Sequence, residues 1–344
     1  MRKVFYTIWM AAVMASCSQD EIVEVKEYTP ISFGNVFVDK STRATDPSHT
    51  TSTLEKFYVY GNVKGKNESE LVSIYNGACI EKTKIGETNN YYWNSGSNIY
   101  YWVPNCDYNF VAVSDVEANN ITVTQGEDGL PSKIEYSYDA GSQVDLLYAK
   151  KTDIKTDSDG KPDNTNEYGE VSFTFEHLLA KVKFSFTNSF PENSNVNLTV
   201  QNIQINNAAK TAEYVKDENG DWSWTVTESF AGSEESTDNC ISFGNTERMA
   251  PNETKEGEYI RFLVPETNKD FNITLTVLYE LAGTSHSVNL EAKNVTLEKG
   301  HFYNFTAELT SNNVTGIVPI IFNITKDEWS DIDNTDYPVG PLYN

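Results

Sequence analysis

Hydrophobic and polar residues alternate through a long stretch in the middle of the chain, Val171–Phe186. Apolar side chains first occupy odd positions and then, from Ala180 onwards, even positions. A period of two residues is typical of a β-strand with one buried face. The change of phase predicts two strand segments separated by a bend or bulge at His177–Leu179.

Similar segments predict strands on both sides of this stretch. Ile31–Val38 is the first, and the polar segment Lys40–Thr53 follows it as a linker. Phe271–Leu281 alternates most regularly, and no segment predicts a helix longer than a turn or two. Further strands are predicted at Leu54–Tyr60, Leu71–Tyr75, Tyr91–Trp93, Ile99–Val103, Tyr108–Val113, Ile121–Val123, Ile134–Tyr138, Leu146–Ala149, Val196–Ile205, Ala212–Val215, Trp222–Val226, Ile241–Phe243, Tyr259–Pro265, Val288–Leu290 and Phe302–Leu309.

Composition agrees with an all-β protein of about two domains. The chain has 344 residues, of which 20 are Tyr and 17 are Phe, and these residue types favour strands. The net charge of −24 argues against binding to nucleic acid or to anionic lipid, because both require basic patches. We interpret the acidity chiefly as a source of solubility.

The N-terminus predicts export. Arg2 and Lys3 precede the apolar run Val4–Ala15, which is too short to span a bilayer as a helix. The residues that end it, Met14-Ala15-Ser16-Cys17, resemble the lipobox of bacterial lipoproteins, in which Cys17 would carry the lipid. The acidic residues after Cys17 resemble the tag that sends such lipoproteins to the outer surface. The alternative is an ordinary secretory signal with a chance cysteine.

Two further segments lie outside the regular succession of strands. Arg43 is the only arginine between Arg2 and Arg248, and it lies in a polar, proline-containing loop that suits a trypsin-like protease. Gly316–Ile324 is apolar on both faces and follows the strand that should complete the second domain. We expect Ile317–Ile324 to form a surplus strand that is buried on both sides.

The sequence contains no motif that predicts an enzyme or a cofactor. No nucleophile accompanies the four histidines, and His177 is best interpreted as structural. Asp157–Gly160 resembles a fragment of a calcium loop, but a solvated turn explains it better. Cys79 and Cys106 could form a disulfide, although free thiols are the preferred interpretation. Tyr91–Trp93 and Tyr100–Trp102 could stack on sugars, but a hairpin with paired aromatic residues fits them better.

The segment Phe175-Glu176-His177-Leu178-Leu179-Ala180-Lys181-Val182 resembles the F-x-H-x-L-A-K hallmark of the fimbrillin (Mfa-like) family of surface pilus proteins. Three weaker matches follow the order of that family. They are Tyr100–Pro104 with the strand around Asn109-Phe110, Asp145–Ala149, and Leu297–Tyr303. Together with the lipobox, the resemblance covers nearly the whole chain.

The resemblance implies two tandem transthyretin-like Greek-key β-sandwich domains that assemble by strand exchange. In that family a protease removes the N-terminal strand after an arginine, and another subunit's C-terminal segment fills the groove. The implied organisation is a signal peptide at 1–16, a tether, removable strand and cleavage loop at 17–53, sandwich domains at 54–188 and 189–311, and a donor-strand segment at 312–344. The scissile bond would be Arg43–Ala44, and the donor side chains would be Ile317, Val318, Ile320, Ile321, Phe322 and Ile324.

We therefore expect a non-enzymatic subunit or tip protein of a cell-surface fimbria that serves adhesion, with shaft, tip and anchor roles left open. It would be exported through the periplasm to the outer membrane as a lipoprotein. Its partners would be other fimbrial subunits, an arginine-specific surface protease and a host or bacterial surface ligand. The alternative is a monomeric surface lipoprotein that binds glycan through exposed aromatic residues such as Trp93, Trp102, Trp222 or Trp224.

Overall fold

A computed structural model describes residues 28–38, 49–87, 90–217, 220–231, 239–279, 284–315 and 317–328; at 35, 284–291 and 328 it describes the backbone alone. Strands dominate these residues. In chain order they are β1 Phe33–Val38, β2 Lys56–Gly65, β3 Val72–Lys84, β4 Tyr91–Asn94, β5 Cys106–Val113, β6 Ile121–Gln125, β7 Pro131–Ser137, β8 Leu147–Lys155, β9 Val171–His177, β10 Ala180–Asn188, β11 Leu198–Ile205, β12 Ala209–Lys216, β13 Trp222–Ser229, β14 Ile241–Gly244, β15 Thr254–Glu256, β16 Arg261–Leu263, β17 Lys269–Tyr279, β18 Thr284–Val295, β19 His301–Leu309 and β20 Asn323–Glu328.

Helical structure is short. Within the described ranges it consists of a 3-10 turn at Glu192–Ser194 and the single-turn helix α1 at Ser311–Val314. None of the described helices is long and apolar enough to cross a membrane. The prediction of an all-β chain is confirmed.

The strands form four sheets. The first, here called the closed sheet, returns on itself in the order β1-β4-β3-β2-β5-β8-β9. The second has the order β15-β10-β19-β20, with β16 also paired to β10, and the third has the order β14-β11-β17-β18. The fourth, β13-β12-β7-β6, joins two strands that precede residue 188 to two that follow it.

Three hydrophobic cores lie within and between these sheets. The interior of the closed sheet is rich in aromatic side chains, including those of β1. A second core combines the inward faces of β10 and β19 with those of β11 and β17. A third packs the fourth sheet against the outer face of β2, β5 and β8. The division into domains at 188/189 stays a prediction.

The central stretch folds as its pattern predicts. β9 ends at His177 and β10 begins at Ala180, so the change of phase marks the step from the closed sheet to the second sheet. Leu178 and Leu179 lie between the strands and are fully buried. The bend therefore forms part of the core and does not lie in a surface loop.

Three expectations about the strands differ from the structure: one pairing and the extent of two strands. Tyr91–Trp93 does not form a hairpin with Tyr100–Trp102, because β4 pairs with β3 and β1. The predicted strand Ile99–Val103 is irregular apart from a single bridge between Tyr101 and Pro30. At the C-terminus the strand starts at Asn323, and residues 317–322 approach it as irregular chain.

Candidate functional site

β1 occupies a groove between β4 and β9 and thereby closes the first sheet. It runs antiparallel to β4, where Phe33 faces Trp93, and parallel to β9. Further backbone bonds extend the pairing beyond the strand: the Ile31 N–H donates to the Tyr100 carbonyl at 2.7 Å, and the Val171 N–H donates to that of Ser32 at 2.9 Å. Loss of β1 would leave the backbone of both neighbours unpaired.

The side chains that β1 directs inward are almost inaccessible to solvent. Ile31, Phe33, Val36 and Val38 are each 1–5% exposed. A register shift between Gly34 and Phe37 explains why the buried positions change from odd to even along the strand. Each fully buried side chain of this kind contributes about 1.5–3 kcal/mol, so an empty groove would be strongly unfavourable.

A buried carboxylate lies against the middle of this groove. Glu170 is 2% exposed, and its Oε2 accepts a hydrogen bond of 2.7 Å from the Asn166 side-chain amide. Burial raises the pKa of Glu170, whereas the bond from Asn166 opposes that rise. An added Cβ at Gly34 would stand 2.1 Å from Oε2. Glycine at this position therefore lets the strand pass the carboxylate.

The predicted donor side chains divide into two groups. Ile317, Val318 and Ile321 are 76%, 44% and 75% exposed. Ile320 is 4% exposed, and the partly buried Phe322 and Ile324 pack against the core between the second and third sheets. The Phe322 ring lies 5.4 Å from that of Phe184 and 6.1 Å from those of Phe186 and Phe305. Half of the apolar run is thus used within its own chain.

The segments that carry the sequence resemblance meet at the β9–β10 junction. The Leu178 N–H donates to the carbonyl of Leu146 at 2.9 Å, and the Gly300 N–H donates to that of Leu179 at 2.9 Å. Nδ1 of the buried His177 lies 2.8 Å from Asp145 Oδ1, and Asp145 is 1% exposed. The histidine thus has the structural setting that its apolar surroundings in the sequence predict.

The same carboxylate holds the chain at His49, which lies within the predicted linker Lys40–Thr53 and six residues after Arg43. Asp145 Oδ2 accepts a hydrogen bond of 2.7 Å from the His49 N–H, and His49 Nε2 lies 2.7 Å from Asp115 Oδ2. Burial acts to lower the pKa of His49, but the bond and charge of Asp115 and the charge of Asp145 outweigh it, so the pKa is raised. The sequence identified Asp145 only as part of a segment that resembles the family, and it did not reveal the partners of this carboxylate, because they are far away in the chain.

Lys181, the last residue of the hallmark, is buried as well. It is 2% exposed, and its ammonium lies 5.2 Å from the centre of the Phe302 ring. Burial lowers the pKa of Lys181 to about 7, and the charge of Lys183 acts in the same direction. Burial therefore favours the neutral amine of Lys181 more than it is favoured in an exposed lysine.

The structure also tests the disulfide and calcium-loop interpretations of the sequence. Cys79, Cys106 and Cys240 are free thiols, so the described chain has no Cys79–Cys106 disulfide. The backbone N–H groups of Lys161 and Asp159 donate to Asp157 and hold the pKa of its carboxyl below the usual value. Within the described ranges, no group of three or more His, Cys, Asp or Glu side chains could hold a metal ion.

The alternative function, glycan binding, relies on four tryptophans, of which two are buried and two are half-buried. Trp93 is 5% exposed and Trp102 is fully buried, so neither is the exposed sugar platform that the alternative requires. Trp222 and Trp224 are half-buried on β13 and border a cleft. Cys17, Arg43 and Ala44 lie outside the described residues.

Comparison with known proteins places these features in a family. The model of the fimbrillin-like family matches residues 42–326. A fimbrial protein from Bacteroides vulgatus is 14% identical, and the match covers 87% of this chain and 99% of that one with a TM-score of 0.54. A Bacteroides ovatus protein with an inferred role in cell adhesion is 15% identical, with coverage of 89% and 100% and a TM-score of 0.51. At these identities the likeness shows the fold alone. No curated protein gives a significant match.

Proposed function

This chain belongs to the fimbrillin-like family, and from that premise we propose that it is a non-enzymatic structural or tip subunit of a cell-surface fimbria, assembled by strand exchange and serving adhesion. Its partners are other fimbrial subunits, whose C-terminal segments enter the groove of β1. An arginine-specific surface protease cuts the Arg43–Ala44 bond and releases β1. Cys17 carries the lipid that takes the precursor through the periplasm to the outer membrane.

The position of β1 is the observation that carries this proposal. β1 supplies buried side chains to the closed sheet, and residues 39–48, which include Arg43, separate it from the rest of that sheet. Six residues after Arg43 in the sequence, Asp145 holds the chain at His49. A cut at Arg43 would therefore free β1 at its C-terminal end while the body of the protein keeps its own anchor.

The apolar C-terminal run supports the donor role. Ile317 and Ile321 expose about three quarters of their surface, which is unusual for isoleucine in a folded chain. In a groove lined by β4 and β9 these side chains would be buried, and the backbone of the incoming strand would pair on both sides. Burial of this kind contributes roughly 25 cal/mol per Å² of apolar surface.

The test replaces the exposed side chains and leaves the buried ones in place. A chain truncated after Ser311 would also lose β20 and Phe322, which pack on the protein's own core, so its failure could reflect folding. The triple variant Ile317→Thr, Val318→Thr and Ile321→Thr avoids this problem. We expect wild-type protein cut after Arg43 to form ladders on non-denaturing gels, and the triple variant to be cut without forming them.

Two controls make the result specific. Val72 is 51% exposed at the start of β3, ten positions before Lys82, which pairs with the β1 neighbour Trp93. Val72→Thr therefore removes surface hydrophobicity without touching the donor segment or the groove and should polymerise like wild type. Arg43→Gln should block the cut and the ladders together. Ladders of normal length from the triple variant, with thermal unfolding equal to wild type, would show that the donor segment lies elsewhere.

A further inference from the structure

A cleft of about 600 Å³ lies beside the β9–β10 junction. One wall is aromatic and consists of Tyr214, Trp222 and Trp224. The turn Leu297–His301 lies against it, with Lys299 Nζ 3.3 Å from the Tyr214 hydroxyl, and Pro265 and Thr267 also line the cleft. The volume falls within the range of about 300–1,000 Å³ that small-ligand sites occupy. None of these residues belongs to the β1 groove or to the segment 317–324.

The aromatic wall is held in place before any ligand arrives. The Trp222 ring stacks on Tyr214, with centroids 5.3 Å apart and planes at 28°, and lies 5.6 Å from Tyr148. Trp224 Nε1 donates to the Leu178 carbonyl at 2.7 Å. Both indoles remain half-buried, so part of each ring faces the cleft. Fixed aromatic faces of this kind can stack on the apolar faces of a ligand at little conformational cost.

Glu176, Glu298 and Lys299 are charged side chains that line the cleft, and each has a partner of opposite charge. Lys299 Nζ lies 2.8 Å from Glu176 Oε2 and 3.3 Å from the Tyr214 hydroxyl. Glu298, on the same turn, accepts a bond of 2.7 Å from Lys326. The cleft therefore offers several hydrogen-bond donors and acceptors without a strong local charge. An anionic ligand would in addition meet the repulsion of a chain that carries −24.

Aromatic faces combined with paired polar groups suit a ligand that has apolar faces and many hydroxyl groups. We propose that this cleft is a binding site for a neutral oligosaccharide, with Trp222 as its stacking platform and the turn Leu297–His301 as its source of hydrogen bonds. An extended peptide added to β13, which is an edge strand in the fourth sheet, is the competing occupant. The lining favours the sugar, because it presents aromatic rings and the charged side chains of Glu298 and Lys299, whereas an added strand would be recognised by the free backbone edge of β13.

The experiment uses the full chain and an array of immobilised neutral and acidic oligosaccharides. Free forms of the best neutral binders are then titrated by calorimetry. Trp222→Ala should weaken binding at least tenfold, whereas Tyr168→Ala, which removes a 60% exposed aromatic ring outside the cleft, should leave it unchanged. Lys299→Gln, on the turn Leu297–His301, should also weaken binding, and it serves as the second variant should Trp222→Ala fail to fold.

Several results would overturn the proposal. They are an array on which no neutral oligosaccharide binds, a preference for acidic ones, equal binding by wild type and both cleft variants, or binding of extended peptides alone. The proposed sugar site does not depend on strand exchange, because Trp222 lies outside both the β1 groove and the donor segment. Trp222→Ala should therefore form ladders like wild type after the cut at Arg43. If the wild-type protein binds the sugar but forms no ladders after the cut at Arg43, the result would count against the fimbrial proposal and not against the sugar site.

Discussion

Phe33 is the side chain on which the retention of β1 should depend most. It is 2% exposed, and its ring lies 5.5–6.4 Å from the rings of Phe57, Tyr75, Phe110 and Phe173. Three of these contacts are edge-on and the contact with Phe173 is stacked. The closed sheet surrounds the ring, so neighbouring side chains have little freedom to collapse into the space that it would leave.

Replacement of Phe33 by alanine should therefore lower the free energy of unfolding substantially. Phe→Ala changes in well-packed cores cost about 3–5 kcal/mol, and the four aromatic neighbours put this site at about 4 kcal/mol. Phe37 provides a matched control, because it is on the same strand but half-buried. Phe37→Ala should cost about 1 kcal/mol, the central value for single substitutions.

Two assays measure the effect. Guanidinium unfolding of the uncut protein gives the loss of stability directly. In protein cut within residues 39–48, gel filtration followed by mass spectrometry gives the fraction of β1 peptide that stays bound. A loss of 4 kcal/mol weakens retention about a thousandfold. Equal release of β1 from the Phe33 and Phe37 variants would refute the conclusion that this strand is held by its buried aromatic core.

The hallmark residues allow two further predictions. Between pH about 7 and 10.5 the unfolded chain binds more protons at Lys181 than the folded chain does. In this range Lys181 therefore makes the free energy of unfolding rise with pH, by up to about 1.4 kcal/mol per pH unit. Lys181→Met should flatten that rise and increase stability at pH 7, and denaturant curves at pH 7 and 9 that change in parallel with wild type would contradict it. Asp145→Asn replaces one of the two oxygens that contact His177 Nδ1 and the His49 N–H with an amide donor, and it should cost about 1–3 kcal/mol in thermal unfolding. Asp115→Asn, at a pair whose side chains are 25% exposed, should cost less.

The local pattern of the chain was sufficient to predict much of the fold. The phase change in the central stretch marks the border between two sheets because burial on one face imposes a period of two on each strand. Phe271–Leu281 was predicted for the same reason, and β17 extends over Lys269–Tyr279. In both cases the signal lies within one strand and needs no knowledge of its neighbours.

Pairing between distant strands was not predictable in the same way. Aromatic residues at Tyr91–Trp93 and Tyr100–Trp102 favour strand surfaces, but this preference does not specify a partner, and β4 pairs with β1 and β3. The run Ile317–Ile324 is apolar on both faces, a pattern that a buried strand shares with a segment laid across a core. The contacts of Glu170 with Gly34 and of Asp145 with His49 join residues about 100 or more positions apart, so residue spacing could not reveal them.

Glu170 adds a steric requirement to the proposed exchange. The native strand passes this carboxylate with Gly34, where a Cβ would approach Oε2 to 2.1 Å. Residues 317–324 contain no glycine, so any register in which they span the whole groove brings a side chain over Glu170. The carboxylate must then leave its place and break its 2.7 Å bond with Asn166, unless Gly316 takes the position of Gly34. Displacement of a buried carboxylate costs free energy, and hydrophobic burial elsewhere in the donor strand must exceed that cost. The groove would therefore discriminate among donor strands by the size of the side chain opposite Glu170 as well as by their hydrophobic pattern.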